Sequence, residues 1–298
     1  MPLVGTAEMI EAADGRGIGA FNVITVEHAE AIADGATRAG LPVIMQISEN
    51  AVAFHDGRLE PIAAATAAIA RACDVDVALH LDHVTDPRLW EIAPQHGFGS
   101  VMIDQSKLPY EDNIAETGRA VEFLNSRGLW VESELGQVGG KEGDTPLSAH
   151  APGARTNPLE AIDYVAQTGV DALAVAVGSS HAMTTRDAAL DIDLIAALRT
   201  AVGVPLVLHG SSGVPDVELR RAVRAGMVKI NIGTALNIAY TNAIRDYLGE
   251  NPDTVDPRKY VTPAREAMAT TVAHFLTLLA NPRANPSENA HKNARENA

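Results

Sequence analysis

The chain has 298 residues, 46% of them hydrophobic, 20% charged and 4% aromatic, with one cysteine and a formal net charge of −15. The single cysteine, Cys73, excludes an intramolecular disulfide framework, no apolar run approaches the roughly 18–20 residues of a membrane span, and Met1–Gly5 lack the pattern of a secretory signal. An excess of 38 acidic over 23 basic residues argues against a nucleic-acid-binding surface, so a soluble, cytoplasmic protein without nucleic-acid or membrane partners is expected. Any anionic ligand must then be held by local features against an unfavourable overall field.

Along the chain, eight short β-rich runs alternate with alanine-rich segments of helical spacing: Ile18–Val23, Val43–Ile47, Val77–Leu81, Gly99–Ile103, Leu129–Ser133, Ala172–Val177, Pro205–Leu208 and Met227–Ile232. Their starts lie about 20 to 45 residues apart, enough for a crossover helix each time. Glu60–Ala72 and Leu159–Thr168 carry the helical period most clearly. Gly40, Gly97, Gly128, Gly169, Gly203 and Gly226 each fall shortly before a strand, where a helix C-cap glycine belongs. The pattern predicts an α/β protein, a single-domain (β/α)8 TIM barrel over residues 1–280, with a doubly wound open sheet as the alternative. Two segments break the spacing. Gly136–Pro158, with five glycines and three prolines, reads as a long mobile loop. The polar tail over 281–298 reads as flexible.

In such a barrel the reactive groups sit at the C-terminal ends of the strands. Asn22, Ser48, Asp82 with His83, Asp104, Glu134, His181, His209 and Asn231 fall there in succession. His83, His181 and His209, from the third, sixth and seventh strands, form a ligand set for a divalent transition metal, most plausibly Zn²⁺ with an open position. His80 is too deep and His96 too early to join them, and His28 and His55 have no assigned role. Asp104 and Glu134 either form a second or alternative divalent site or hydrogen-bond the histidines. Glu132, two residues deeper on the same face as Glu134, reads as a buried, paired group.

His209-Gly210-Ser211-Ser212-Gly213 and Asn231-Ile232-Gly233-Thr234 leave the seventh and eighth strands and each lead into a helix, Pro215–Ala225 after the first. Small residues there let backbone N–H groups approach an anion, and helix N-termini add positive potential, so a phosphate cradle is expected. A three-histidine metal beside a phosphate suits a Lewis acid that polarises the carbonyl of a ketose phosphate and stabilises an enediolate. No lysine on the rim is placed for a Schiff base; Lys229 lies inside the eighth strand. Strand alternation places Asp82 opposite to His83, turning inward only where the strand ends, from where it could shuttle a hydroxyl proton. Glu142, in the glycine-flanked loop, could handle a second proton.

Six motifs, in order, are HLDH (His80–His83), SVMIDQS (Ser100–Ser106), VESELGQVGGKEGD (Val131–Asp144), LHGSSGVPD (Leu208–Asp216), KINIGTAL (Lys229–Leu236) and DPRKY (Asp256–Tyr260). With them the chain resembles the class II, zinc-dependent ketose-bisphosphate aldolases, nearest the fructose- and tagatose-bisphosphate branch, from about Gly19 to Ala280. The resemblance implies reversible cleavage of a phosphorylated ketose to dihydroxyacetone phosphate and an aldehyde. It implies Asp82 as catalytic proton carrier, His83, His181 and His209 as zinc ligands, and Asp104 and Glu134 as holders of an alternative metal position. Glu142 matches the loop glutamate of proton transfer, and Gly210, Ser211, Ser212, Asn231, Ile232, Gly233 and Thr234 match the segments that grip dihydroxyacetone phosphate. Asn22, Ser48 and Ala182 join the substrate-binding set. A homodimer or homotetramer is implied, with Arg258 reaching a distal phosphate across a subunit contact.

The chain departs from the family where glycine usually follows the HLDH motif and the second zinc histidine; here these are Val84 and Ala182. The family glycine at the latter offers its N–H to phosphate, and a methyl group is compatible with that bond at negative φ but narrows the pocket. Ser179–Arg186 is also unlike the usual sequence. Two other functions fit the residues less well: a catalytically silent paralogue supporting another aldolase subunit, and a metal-dependent hydrolase, which needs further histidines at early strand ends.

Overall fold

The computed structural model describes residues 3–136, 138–139 and 155–282. The strands are β1 (Ile18–Asn22), β2 (Val43–Ser48), β3 (Val77–Val84), β4 (Ser100–Ile103), β5 (Trp130–Leu135), β6 (Ala172–Val175), β7 (Leu206–Leu208) and β8 (Met227–Ile232). All pair in parallel with their sequence neighbours, and β8 closes on β1 through Ile18↔Lys229 and Ala20↔Asn231. The architecture is the (β/α)8 barrel expected from the alternation, a single domain; the open-sheet alternative is excluded by that closure.

The helices are α1 (Thr6–Glu11), α2 (Val26–Ala39), α3 (Glu49–Phe54), α4 (Leu59–Ala72), α5 (Pro87–Ile92), α6 (Tyr110–Asn125), α7 (Pro158–Thr168), α8 (Ile192–Ala201), α9 (Asp216–Ala225), α10 (Thr234–Glu250) and α11 (Pro257–Ala280). Their starts follow capping chemistry: Ser48, Asp86, Asn157, Asp191 and Asp256 each accept a first-turn backbone N–H through the side chain. Gly40 and Gly169 close α2 and α7 in the left-handed conformation, Gly97 does the same for a 3-10 turn over Ala93–His96, and Gly128 and Gly226 also have positive φ. Gly203 does not cap; α8 ends on Val202 in extended backbone.

Side chains alternate between two apolar layers. Outward residues such as Met45, Leu79, Val101 and Val131 pack under the helices. Inward Ile18, Ala20, Ile44, Ala78, Trp130, Ala172, Ala174 and Val207 fill the lower barrel, where Met9, Ile10 and Ala13 of the N-terminal segment close it. Above that plug the inward positions are polar: Gln46, His80, Ser100, Glu132 and Lys229 are all buried. Thr6 Oγ1 lies 2.6 Å from Ser100 Oγ, which in turn lies 2.7 Å from His80 Nδ1, so α1 is tied into the polar layer by a buried chain. Apolar burial thus anchors the barrel at one end and leaves the other for chemistry. The predicted 281–298 tail is described only at Asn281 and Pro282. Among the described residues no helix is long and apolar enough to cross a membrane.

Candidate active site

At the C-terminal ends of the strands a cleft of about 930 Å³ opens, lined by Asn22, Gln46, Ser48, Asp82, His83, Asp104, His181, Ala182, Gly210, Ser212, Asn231, Gly233 and Thr234 among others. The third strand delivers two of these residues side by side, and does so by a route opposite to the one expected. Asp82 continues the inward series of Ala78 and His80. It is His83 that is brought inward: the β3–β4 register shifts between Leu81 and Val84, and His83 takes φ +52°. A bulge of this kind re-aims one side chain, so both residues face the cleft.

His83, His181 and His209 converge, each offering a ring nitrogen within 4.8 Å of the others'. Ring centroids lie 5.0 Å apart for His83 and His181, 4.7 Å for His83 and His209, and 5.6 Å for His181 and His209, all edge-to-face. β6 ends at Val175, two residues short of the expected Val177, so His181 comes from the loop beyond it rather than from a strand end. That loop is docked by His181 N–H donating to Gly139 O (2.7 Å), Ser179 Oγ to His209 O (2.6 Å) and Ser180 Oγ to Gly139 O (2.7 Å).

Carboxylates surround the imidazoles. His83 Nδ1 lies 2.8 Å from Asp104 Oδ2, and Ser106 Oγ donates to the other Asp104 oxygen at 2.7 Å. His209 is fully buried, with Nε2 2.9 Å from Glu132 Oε1 and Nδ1 3.1 Å from Glu134 Oε2. Burial alone would depress the His209 pKa, but the bonds to Glu132 and Glu134 outweigh it and push it up to about 9. The pocket therefore favours a positive charge at this point. With Nε2–H given to Glu132, Nδ1 is left on the side of Glu134, where a cation could take the place of its proton, the carboxylate–histidine arrangement that orients a metal ligand. His83, Asp104 and Glu134 form a second overlapping group of three within 4.8 Å. Both sequence readings of the carboxylates, hydrogen-bonding the histidines and forming an alternative ligand set, thus have geometric support. The donor set fits a divalent cation of the zinc type.

Asp82 is buried, with Oδ2 3.3 Å from Gln46 Nε2 and 3.9 Å from His83 Nε2, and Oδ1 3.6 Å from His80 Nε2. Burial on its own would raise this carboxyl, but His83, His80 and Lys229 together hold it well below the usual carboxylate range. It is a base, not an acid, in the resting site. His80 itself is driven toward the neutral form by burial and by Lys229. Glu132 is held down to about 2, the raising effect of burial being overcome by Lys229 and His209.

The expected anion cradle is brought together in part. Gly210 has φ +66°, and a Cβ there would stand 2.5 Å from Ser180 O. A Cβ on Gly233 would stand 2.9 Å from Asn22 Oδ1. The first approach joins the loops after β6 and β7 and the second joins the loop after β8 to the end of β1, with Thr234 at the start of α10 lining the cleft beside them. Ser212 Oγ accepts from Ala235 N–H at 3.0 Å and Ser48 caps α3, so both hydroxyls also shape backbone. The Ser211 and Ile232 side chains do not reach the cleft: Ser211 Oγ donates to Leu208 O, and Ile232 packs outward in the core. Arg258 stands away from the cleft, 88% exposed and paired with Asp256 at the start of α11. Ala182 lines the cleft but has φ +55°, not the negative value with which a methyl group was compatible. Glu142 lies outside the described residues. Gln46, missed from sequence, donates to Asn22 Oδ1 (2.8 Å) as well as to Asp82. Its signal was there: it sits two residues before Ser48 on the same inward face. Lys229 is no Schiff-base lysine, being fully buried with Nζ 2.8 Å from Glu132 Oε2.

Three imidazoles that could hold a divalent ion, a buried carboxylate kept in its charged form and a wall of small residues thus meet at one rim of the barrel. Residues 4–282 match the sequence model of the family "Fructose-bisphosphate aldolase class-II". The chain is 38% identical over 275 residues to the Bacillus subtilis protein named "Probable fructose-bisphosphate aldolase" and 36% identical to the fructose-bisphosphate aldolase of Staphylococcus aureus, covering 91% of this chain and 95% of each relative. Among solved structures, the YdjI aldolase of Escherichia coli K12 superposes with a TM-score of 0.78 at 30% identity, over 93% of this chain and 97% of that one. The chain belongs to the class II fructose-bisphosphate aldolase family. It is an aldolase, a carbon–carbon lyase.

Proposed function

We propose that the protein is a zinc-dependent aldolase that reversibly cleaves a phosphorylated ketose, of the fructose- or tagatose-bisphosphate kind, into dihydroxyacetone phosphate and an aldehyde. The observation that carries this reading is the convergence of His83, His181 and His209 beside Asp82 in one cleft. A divalent ion held by the three imidazoles would supply Lewis acidity to the ketose carbonyl.

The residues of the chain do the rest. Asp82, ionised and steadied by the Gln46 amide, accepts the proton of the hydroxyl on the carbon beyond the breaking bond. As that oxygen becomes a carbonyl, the carbon–carbon bond breaks and its electron pair stays with the dihydroxyacetone phosphate fragment. Glu142 is assigned the proton that this fragment takes up, on family likeness. The wall of Gly210, Ser212, Asn231, Gly233 and Thr234 receives the phosphate through backbone N–H groups, which suits a chain with net charge −15. Asp104 and Glu134 offer the ion an alternative position. We further propose a cytoplasmic homo-oligomer, dimer or tetramer, in which Arg258 contributes to a neighbouring cleft; its exposure fits that role.

The test is a cleavage screen of zinc-loaded protein against ketose mono- and bisphosphates, with and without chelator. Cleavage that chelation abolishes, zinc restores and Asp82→Ala eliminates without loss of metal supports the reading. A lysine–substrate adduct trapped by borohydride, or chelator-resistant turnover, overturns it. Zinc-bound protein inert across the whole panel points to the silent paralogue instead.

A further inference from the structure

We infer that Lys229 is a positioning residue that sets two functional groups at once: the metal-facing nitrogen of His209, through Glu132, and the cleft-facing amide of Asn231. The inference rests on the zinc-aldolase reading above, but not on any particular ketose.

Lys229 and Asn231 lie two residues apart on the inward face of β8, opposite Ile18 and Ala20. Lys229 is fully buried, and in a barrel interior an ammonium group persists only with close partners. It has two. Nζ lies 2.8 Å from Glu132 Oε2 and donates to Asn231 Oδ1, also at 2.8 Å.

Each contact fixes an orientation further on. Glu132, held at one oxygen by Lys229, uses the other to take His209 Nε2–H at 2.9 Å. That leaves Nδ1, on the side of Glu134, as the nitrogen a metal would take. An ammonium has donors and no acceptor, so Asn231 must present its carbonyl oxygen to Nζ. Its amide Nδ2 is then a buried donor with no partner among the described residues, on a residue that lines the cleft and is 6% exposed. A donor left over in such a place is matched by an acceptor oxygen on the substrate. Remove the ammonium and both constraints relax together: Glu132 can rotate off His209, and the Asn231 amide can flip so that its oxygen meets the substrate's oxygen.

A lysine that merely balanced the buried charge of Glu132 would be dispensable once Glu132 was neutral, which separates the two roles. The experiment compares wild type, E132Q, K229M and the double variant K229M/E132Q as full chains. Zinc affinity is read by competition with a chromophoric chelator, binding of dihydroxyacetone phosphate by calorimetry on the zinc-loaded proteins, and folding by thermal unfolding. E132Q should weaken zinc about tenfold or more and leave dihydroxyacetone phosphate binding within about twofold. K229M should weaken both, each by about tenfold. The double variant, with no unpaired buried charge, should unfold near the wild-type temperature yet still bind dihydroxyacetone phosphate about tenfold more weakly, and it carries the test if K229M alone does not fold. Recovery of that affinity to within twofold of wild type in the double variant overturns the inference, as does a folded K229M with both affinities intact. Wild-type protein that binds no zinc would instead overturn the aldolase reading, and this inference with it.

Discussion

Ala182, next to the metal-site histidine His181, has φ +55° and an exposed side chain. The left-handed region costs a residue with a Cβ about 1–2 kcal/mol, whereas glycine enters it freely. Because the methyl is exposed, its removal forfeits no apolar burial. The opposing effect is the extra freedom glycine has in the unfolded chain, about 0.5–1 kcal/mol. The difference favours A182G by about 0.5–1 kcal/mol, which in a domain of this size raises Tm by about 1–3 °C. Differential scanning calorimetry of the zinc-loaded protein reads this directly. A196G is the control: Ala196 is exposed within α8, where glycine costs about 1 kcal/mol of helix stability, so its Tm should move the other way. If A182G lowers Tm as A196G does, the left-handed backbone at 182 is not a source of strain and the reasoning fails.

Three further outcomes are expected. Asp216 pairs with His274 (2.9 Å) and Arg186 (2.6 Å), linking the loop that carries His181 to α9 and α11; the hydrogen bond from His274, and then that from Arg186, hold its pKa down to about 2 against the raising effect of burial. Its folded pKa lies below the unfolded one, so its stabilisation is complete above about pH 4 and is lost as pH falls through about 2; the gap between D216N and wild type in chemical denaturation should be constant near neutrality and close on acidification. Gly35 lets α2 cross α11 closely, a Cβ there standing 2.5 Å from Ala269 O and 2.7 Å from Val272 Cβ, so G35A should lower Tm even though alanine is the better helix former. G233A, which presses on Asn22 Oδ1, should disturb the Asn22–Gln46 pair and raise KM about tenfold with little change in Tm, as steady-state kinetics and a melting curve will tell.

The barrel was legible because its determinants are local and periodic. Eight β-branched runs, crossover-length helices and most of the cap glycines are properties of neighbouring residues. The metal set was legible for a related reason, since in a parallel barrel every strand end reaches one rim. What alternation could not convey is backbone that leaves the period. The bulge at Leu81–Val84 puts both Asp82 and His83 on the inside, whereas alternation counted from an inward His83 placed Asp82 on the opposite face. Ser211 and Ile232 show the same limit: a small-residue loop marks a cradle, but not which of its side chains turn away. Gln46 and the Lys229–Glu132 pair were readable as inward positions, yet their partners on other strands lie 24 to 97 residues away, and contacts of that separation exist only once the barrel closes.

One divalent ion is proposed to sit between three imidazoles, from β3, the loop after β6 and the residue following β7. Metal analysis combined with X-ray absorption at the zinc edge tests it most directly. About one zinc per chain is expected, with nitrogen and oxygen donors at about 2.0–2.1 Å and reduced occupancy in H209A. Protein purified in the presence of zinc that retains none, or whose zinc signal is unchanged in H209A, would contradict it.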